Sequence, residues 1–129
     1  MEVNRLQLSD EKSIYLQIEE MIEDQILRGI LLEEERVPST NELSRMYAIN
    51  PATAAKGLNL LVERGILYKK RGIGMFVSAG AVKQIVAQRK SNFYKQYVVG
   101  LAAEANVLNI TKDELLKMVS SAMEGKSTL

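Results

Sequence analysis

Residues 39–56 concentrate side chains that donate and accept hydrogen bonds: Ser39, Thr40, Asn41, Arg45, Asn50, Thr53 and Lys56, with the small Ala52 among them. Lys69, Lys70 and Arg71 follow as an unbroken cationic run closed by Gly72. Such groups hydrogen-bond or neutralise phosphates, and Asn, Thr and Lys also meet base edges. They break no bonds by themselves. Histidine and cysteine are both absent, which removes the usual general base, the thiol nucleophile, thiolate metal sites and disulfides. An enzyme has no convergent polar triad to rest on, and no cofactor or metal is expected. Glu19, Glu20, Glu23 and Asp24 recur at about four-residue spacing, which can suit a divalent cation. Without a second ligand cluster, they read as a solvated acidic helix face turned away from a polyanion.

The elements that must position these groups follow from local signals. Ser39 and Glu42 form a capping box that opens a helix, with Leu43, Met46 and Tyr47 at helical spacing and an end near Ala48. Asn50-Pro51 restarts the chain, because proline disfavours helix before it and suits the first position of a new one. The second helix, 50–64, turns Ala54, Leu58, Leu61 and Val62 one way and ends at Gly65. Helices joined this closely cross steeply, as in a helix-turn-helix whose second helix enters a major groove. Ile66–Lys69 and Met75–Ser78 read as strands around a glycine-bearing turn, making a basic wing at 69–75. The fold class is mostly α (α+β), a winged helix-turn-helix.

Each polar group then has an expected duty. Ser39 and Thr40 sit at a helix N-terminus, which favours phosphate, while Ser39 also caps. Asn41 suits an adenine edge or a phosphate, and Arg45 the DNA backbone or, as readily, plain solvent. Asn50 combines capping with contact. Thr53 fits phosphate or the thymine methyl, and Lys56 phosphate or guanine. Ala54 faces the core, and Ala55 permits close approach. Few long polar side chains remain on this helix, so discrimination leans on the wing and on DNA shape. Lys69, Lys70, Arg71 and Gly72 suit backbone or minor-groove contact. Gly72-x-Gly74 is no nucleotide loop, since no helix follows it directly.

Charge supports this placement. The net charge of +1 is uninformative, but residues 1–35 carry three Lys/Arg against ten Asp/Glu, whereas residues 36–95 carry eleven against two. The basic block coincides with the winged helix. No apolar run is long enough to span a membrane and no signal peptide is evident, so a cytoplasmic protein is expected.

From Ser13 to Val77 the sequence resembles the DNA-binding domain of GntR-type bacterial transcription regulators. The resemblance rests on Ile14-Tyr15 with Gln17-Ile18, Gly29, Pro38-Ser39, Glu42-Leu43, Thr53, Leu58 with Leu61, Gly65-Ile66 and Arg71-Gly72-Ile73-Gly74-Met75-Phe76-Val77. The Asn50-Pro51-Ala52-Thr53 junction and the short C-terminal region are similar to the YtrA-like branch. The resemblance implies a homodimer on a palindromic operator, repression of the chain's own operon, and no dedicated metabolite-binding domain; it names no effector. Two departures stand out: Asn41 where the family commonly has a DNA-contacting Arg, and a loop at 33–36 lacking the family's Pro-Gly-type turn. The alternative is a winged-helix protein-interaction module that does not read DNA.

Around this block, Val3–Leu8 reads as a short edge strand and Ser13–Arg28 as a helix with Ile14, Ile18, Met21, Ile22 and Ile26 on its apolar stripe. Ile30-Leu31-Leu32 should pin a loop to the core, leaving residues 33–36 exposed. The domain boundary is placed after residue 79. Residues 80–129 read as a two-helix dimerisation region: one long helix weakened at Gly100 and broken at 106–110, then one opened by a Thr111–Glu114 capping box. Too small for a core of its own, it buries its stripe on the winged helix or, as the resemblance implies, on a second copy. The interface residues would be Val86, Phe93, Tyr97, Leu101, Leu115, Val119 and Met123.

Overall fold

The computed structural model describes residues 13–126; the strand expected over Val3–Leu8 lies outside them. Its order is α1 (Ile14–Leu27), α2 (Thr40–Tyr47), α3 (Pro51–Glu63), β1 (Leu67–Lys70), β2 (Gly74–Val77), α4 (Ala81–Phe93), a π-helical turn (Tyr94–Val98), α5 (Val99–Val107) and α6 (Lys112–Met123). It is mostly helical with a two-stranded antiparallel wing, as expected.

The local signals act as chemistry dictates. Ser39 Oγ accepts from Glu42 N–H at 3.0 Å while Ser39 N–H donates to Glu42 Oε1 at 2.7 Å, closing the capping box of α2. Asn50 Oδ1 accepts from Ala52 N–H at 2.8 Å, and Pro51 occupies the first position of α3. Between them Ala48 holds φ at 53°, a left-handed value unusual for a residue with a Cβ. Ser44 Oγ donates to Ile49 O at 2.6 Å across that turn.

The core gathers Ile18, Ile22 and Ile26 of α1, Leu43 of α2, Leu58 and Leu61 of α3, Ile66, Leu67 and Val77 of the wing base, and Ala81 and Ile85 of α4. Met46, expected with Leu43 and Tyr47, is exposed. At 39–47 the apolar stripe is narrower than its spacing suggests, because α2 is short and touches the core through Leu43. Ile30 and Leu32 are also exposed, so only Leu31 pins the loop after α1. Gly57 is buried where α3 crosses α1; a Cβ there would stand 2.7 Å from Tyr15 O and 2.9 Å from Ile18 Cβ. That contact needs glycine.

By contacts the chain divides into Met1–Gln88 and Arg89–Leu129. α4 begins in the first unit and ends in the second, whereas the sequence reading draws its line after residue 79. Gly100 lies within regular helix in α5, and the long helix changes pitch earlier, at the π-helical turn Tyr94–Val98. In the second unit Thr111 and Glu114 form the expected capping box, yet Ala105 is the one buried hydrophobic residue among those described there.

Candidate nucleic-acid interface

On α3, the face made by Ala54, Gly57, Leu58 and Leu61 is buried, which turns Ala52 and Lys56, one helical turn apart, to the outside; Thr53 is half-buried at the edge. Asn50 is exposed, although its Oδ1 is engaged in capping. On α2, Asn41 and Arg45 form an exposed i, i+4 pair, with Ser39 and Thr40 half-buried at the N-terminus. In the wing, Lys69, Lys70, Arg71 and Gly72 are all exposed.

The two wing lysines lie on opposite faces of the hairpin. Strand side chains alternate between faces, and the register pairs Tyr68 with Phe76 and Lys69 with Met75. Lys70 therefore shares a face with the Tyr68–Phe76 stack, whose centroids are 5.9 Å apart, and its Nζ lies 4.6 Å from the Phe76 centroid. Lys69 stands on the opposite face.

Arg36 ties two of these clusters together. Its backbone forms a bridge with Phe76, its Nε donates to Ile73 O at 3.3 Å, and its Nη1 lies 3.9 Å from Glu42 Oε1 in the α2 capping box. A Cβ on Gly74 would meet Arg36 Nε at 2.8 Å, so glycine is needed for this guanidinium to lie along the turn. The wing apex and the N-terminus of α2 are thus fastened by one side chain. Sequence reading missed it, since Arg36 follows three glutamates and looks like part of a solvated run.

Those glutamates are exposed as expected, but each has a partner. The Glu33 carboxylate accepts from Gly80 N–H at 2.9 Å and Val82 N–H at 3.1 Å, capping α4. These bonds hold its pKa below the ordinary carboxylate value. Glu34 takes φ 70° and accepts the Tyr68 hydroxyl at 2.6 Å. That bond raises the Tyr68 pKa. Glu35 Oε1 accepts from Leu32 N–H at 2.7 Å. The positive φ falls where a Pro-Gly-type turn would place glycine.

The acidic face of α1 is not simply solvated either. Arg64, at the end of α3, donates to Glu19 Oε2 at 2.9 Å and to Glu23 Oε2 at 2.6 Å, and reaches Gln88. Part of the acidic stripe is spent internally, fastening α1 to α3. On α1's first turn, the Tyr15 ring lies beneath Lys56, whose Nζ is 3.9 Å from the centroid. Among the described residues no group of three or more acidic side chains is arranged to hold a metal ion, and no helix is long and apolar enough to cross a membrane.

Helix-turn-helix, wing and connecting loop make one unit, and relatives can be recognised by it. Residues 14–77 match the model of bacterial regulatory proteins, gntR family. The crystal structure of a GntR-family transcriptional regulator from Bacteroides thetaiotaomicron superposes with a TM-score of 0.69 at 38% identity, covering 86% of this chain and 96% of that one. The chain belongs to the GntR family. A second relative, the HTH-type transcriptional repressor YtrA of Bacillus subtilis (strain 168), is 28% identical over 115 residues, covering 87% of this chain and 88% of YtrA. A third is the AraR DNA-binding domain, solved in complex with operator ORX1, with 32% identity and a TM-score of 0.51 over 57% of this chain and 90% of that one. As a GntR-family member, the chain is a repressor-like DNA-binding transcription regulator and not an enzyme.

Proposed function

We propose that this GntR-family chain is a homodimeric repressor of its own operon that binds an inverted-repeat operator through α3 and the wing, with α2 steadying the duplex backbone. The observation that carries this is the head's outward display: Asn41 with Arg45, Ala52 with Lys56, and a cationic wing turn, all exposed. The AraR head, similar over most of this unit, is solved on operator DNA. Ser39, Thr40 and Asn50 would add helix-terminal contacts to phosphate, Thr53 an edge contact, and Lys69, Lys70, Arg71 and Gly72 the wing's. Work on an operator supports a cytoplasmic location, where bacterial DNA lies.

The proposed domain division, 1–79 and 80–129, assigns dimerisation to the tail. Phe93, Tyr97, Leu101 and Met123 are exposed there, while Val86, Leu115 and Val119 are half-buried. So much exposed apolar surface on one short unit supports a second copy as its cover.

The test is selection of bound sequences from a random duplex pool at about 0.15 M salt, followed by affinity against salt. An enriched palindrome with a steep salt dependence is expected. Charge reversal with Lys70→Glu and Arg71→Glu should abolish binding while leaving the helical spectrum intact. Absence of any enriched motif would overturn the operator reading. Sedimentation of Phe93→Glu with Leu101→Glu should show a monomer; a persistent dimer would refute the tail interface.

A further inference from the structure

We propose that Tyr15 is a positioning residue for DNA binding, its ring seating the Lys56 ammonium on the outward face of α3. This rests on the reading above that Lys56 meets the duplex. α1, acidic and assigned by its charge to the side away from DNA, thereby contributes to the binding face through its first turn.

The geometry supports a seat rather than a chance approach. Lys56 Nζ is 3.9 Å from the Tyr15 centroid, well inside the range of about 6 Å over which a ring's negative face attracts a cation. Ring and lysine are also held at a set spacing. Gly57, the residue after Lys56, lets the α3 backbone come so close that even a Cβ would strike Tyr15 O at 2.7 Å. With only a hydrogen at Gly57, α3 packs directly on Tyr15 O and the Ile18 side chain, which sets the start of α1 close against α3. A free lysine on a helix samples many rotamers and loses them on contact. One already resting on a ring has fewer to lose, which is how preordering raises affinity without adding a contact. The ammonium has three donors, and a ring on one side leaves N–H groups for phosphate on the other.

The wing repeats the arrangement independently. Lys70 Nζ lies 4.6 Å from the Phe76 centroid and 6.0 Å from that of Tyr68. Tyr68 stacks on Phe76 and is tied through its hydroxyl to Glu34. Lys69 and Arg71 rest on no ring among the described residues. The wing's basic side chains are therefore of two kinds: Lys70 rests on rings, and Lys69 and Arg71 do not.

The experiment uses the full chain and a mixed-sequence duplex of about two helical turns, since phosphate contact does not depend on sequence. Affinity against salt is measured for the wild type, Lys56→Ala, Tyr15→Leu, Tyr15→Phe and the double variant Tyr15→Leu/Lys56→Ala. Lys56→Ala should weaken binding and lower the salt slope by about one. Tyr15→Leu should weaken binding about threefold to tenfold in the presence of Lys56 and not at all in its absence, a coupling that a double-mutant cycle reads directly. Tyr15→Phe should bind as the wild type does. If Lys56→Ala binds normally, the underlying contact is wrong and the seat falls with it. If Lys56 matters but Tyr15→Leu is silent, or acts equally in both backgrounds, or is not rescued by Phe, the seat alone is overturned. Should Tyr15→Leu not fold, the wild-type protein still decides. The Lys56 ε-methylene protons should show an upfield ring-current shift by NMR, and its absence overturns the proposal.

Discussion

The head and the tail are built from equally good helices and treat their apolar side chains in opposite ways. In residues 14–85 isoleucines and leucines close over one another, so that Ile18, Leu43, Leu58 and Leu61 reach 0% exposure. In the second unit Phe93, Tyr97, Leu108 and Leu116 keep more than half of theirs, although α6 carries the same kind of capping box as α2. Capping and periodicity make a helix; they do not say what will cover it. The head answers within its own chain, and the tail's surface suits an answer from outside.

The contrast breaks most readily at a leucine from each side. Leu58→Ala should cost about 3 kcal/mol of unfolding free energy through lost burial and a cavity. Leu116→Ala in dilute, monomeric protein should cost under about 0.5 kcal/mol, as exposed sites do. Denaturant titration reads both, and equal losses would show a closed core in the tail. If the Leu116→Ala cost grows with protein concentration, the comparison sharpens, because the missing cover is then another chain.

Next in size is the ion pair that fastens the head's first and third helices. Arg64→Ala leaves Glu19 and Glu23 side by side without the guanidinium that bridges them. Removing one partner of a buried pair costs about 3–5 kcal/mol. Arg64 keeps 25% of its side-chain exposure, so about 2 kcal/mol is expected, as a lower thermal midpoint. The tail's Glu124–Lys126 pair is far more open, and Lys126→Ala should change little.

Backbone strain separates the units more finely. Ala48 at φ 53° and Asn109 at φ 58° both sit in the left-handed region, which Asn tolerates and Ala does not. Ala48→Gly should stabilise the head by about 1 kcal/mol, raising its midpoint by about 4 °C, while Asn109→Gly should be nearly neutral. Calorimetry checks both.

The smallest effect is a pH dependence carried by two carboxylates of the head. Backbone N–H groups of Gly80 and Val82 depress the Glu33 pKa, and the backbone N–H and hydroxyl of Ser39 depress that of Glu42. A carboxyl whose folded pKa is depressed lends stability above its unfolded value of about 4.3 and loses it as pH falls through the folded value. Acid unfolding should therefore steepen below about pH 4.5, and Glu33→Gln should flatten that slope while lowering stability at neutral pH.

How much of this was legible follows the range of each interaction. Capping boxes, the Asn50-Pro51 restart and the wing glycines act within a few residues, so α2, α3 and the wing could be read directly. The wing strands came out within a residue or so of their expected bounds. Arg36, Arg64 and the Glu33–Glu35 run could not be read, because their partners lie 20 or more positions away in most cases and exposed charge looks alike in a sequence. The π-helical turn at Tyr94–Val98 has no local breaker to announce it. The exposed polar residues of α2, α3 and the wing were identifiable by type and helix phase; which lysines have rings beneath them was not.

The wing looks like a cassette that could be lifted from one regulator and grafted into another. Its fastening says otherwise. The carbonyl of Ile73 is held by a guanidinium 37 positions upstream, and that guanidinium fits only because position 74 has no side chain. A transplanted hairpin that leaves Arg36 behind would arrive with its apex untethered, and a recipient bearing alanine at the 74 position would push the arginine away. Transfer of this wing has to move a discontinuous pair, one residue before the helix-turn-helix and one after it.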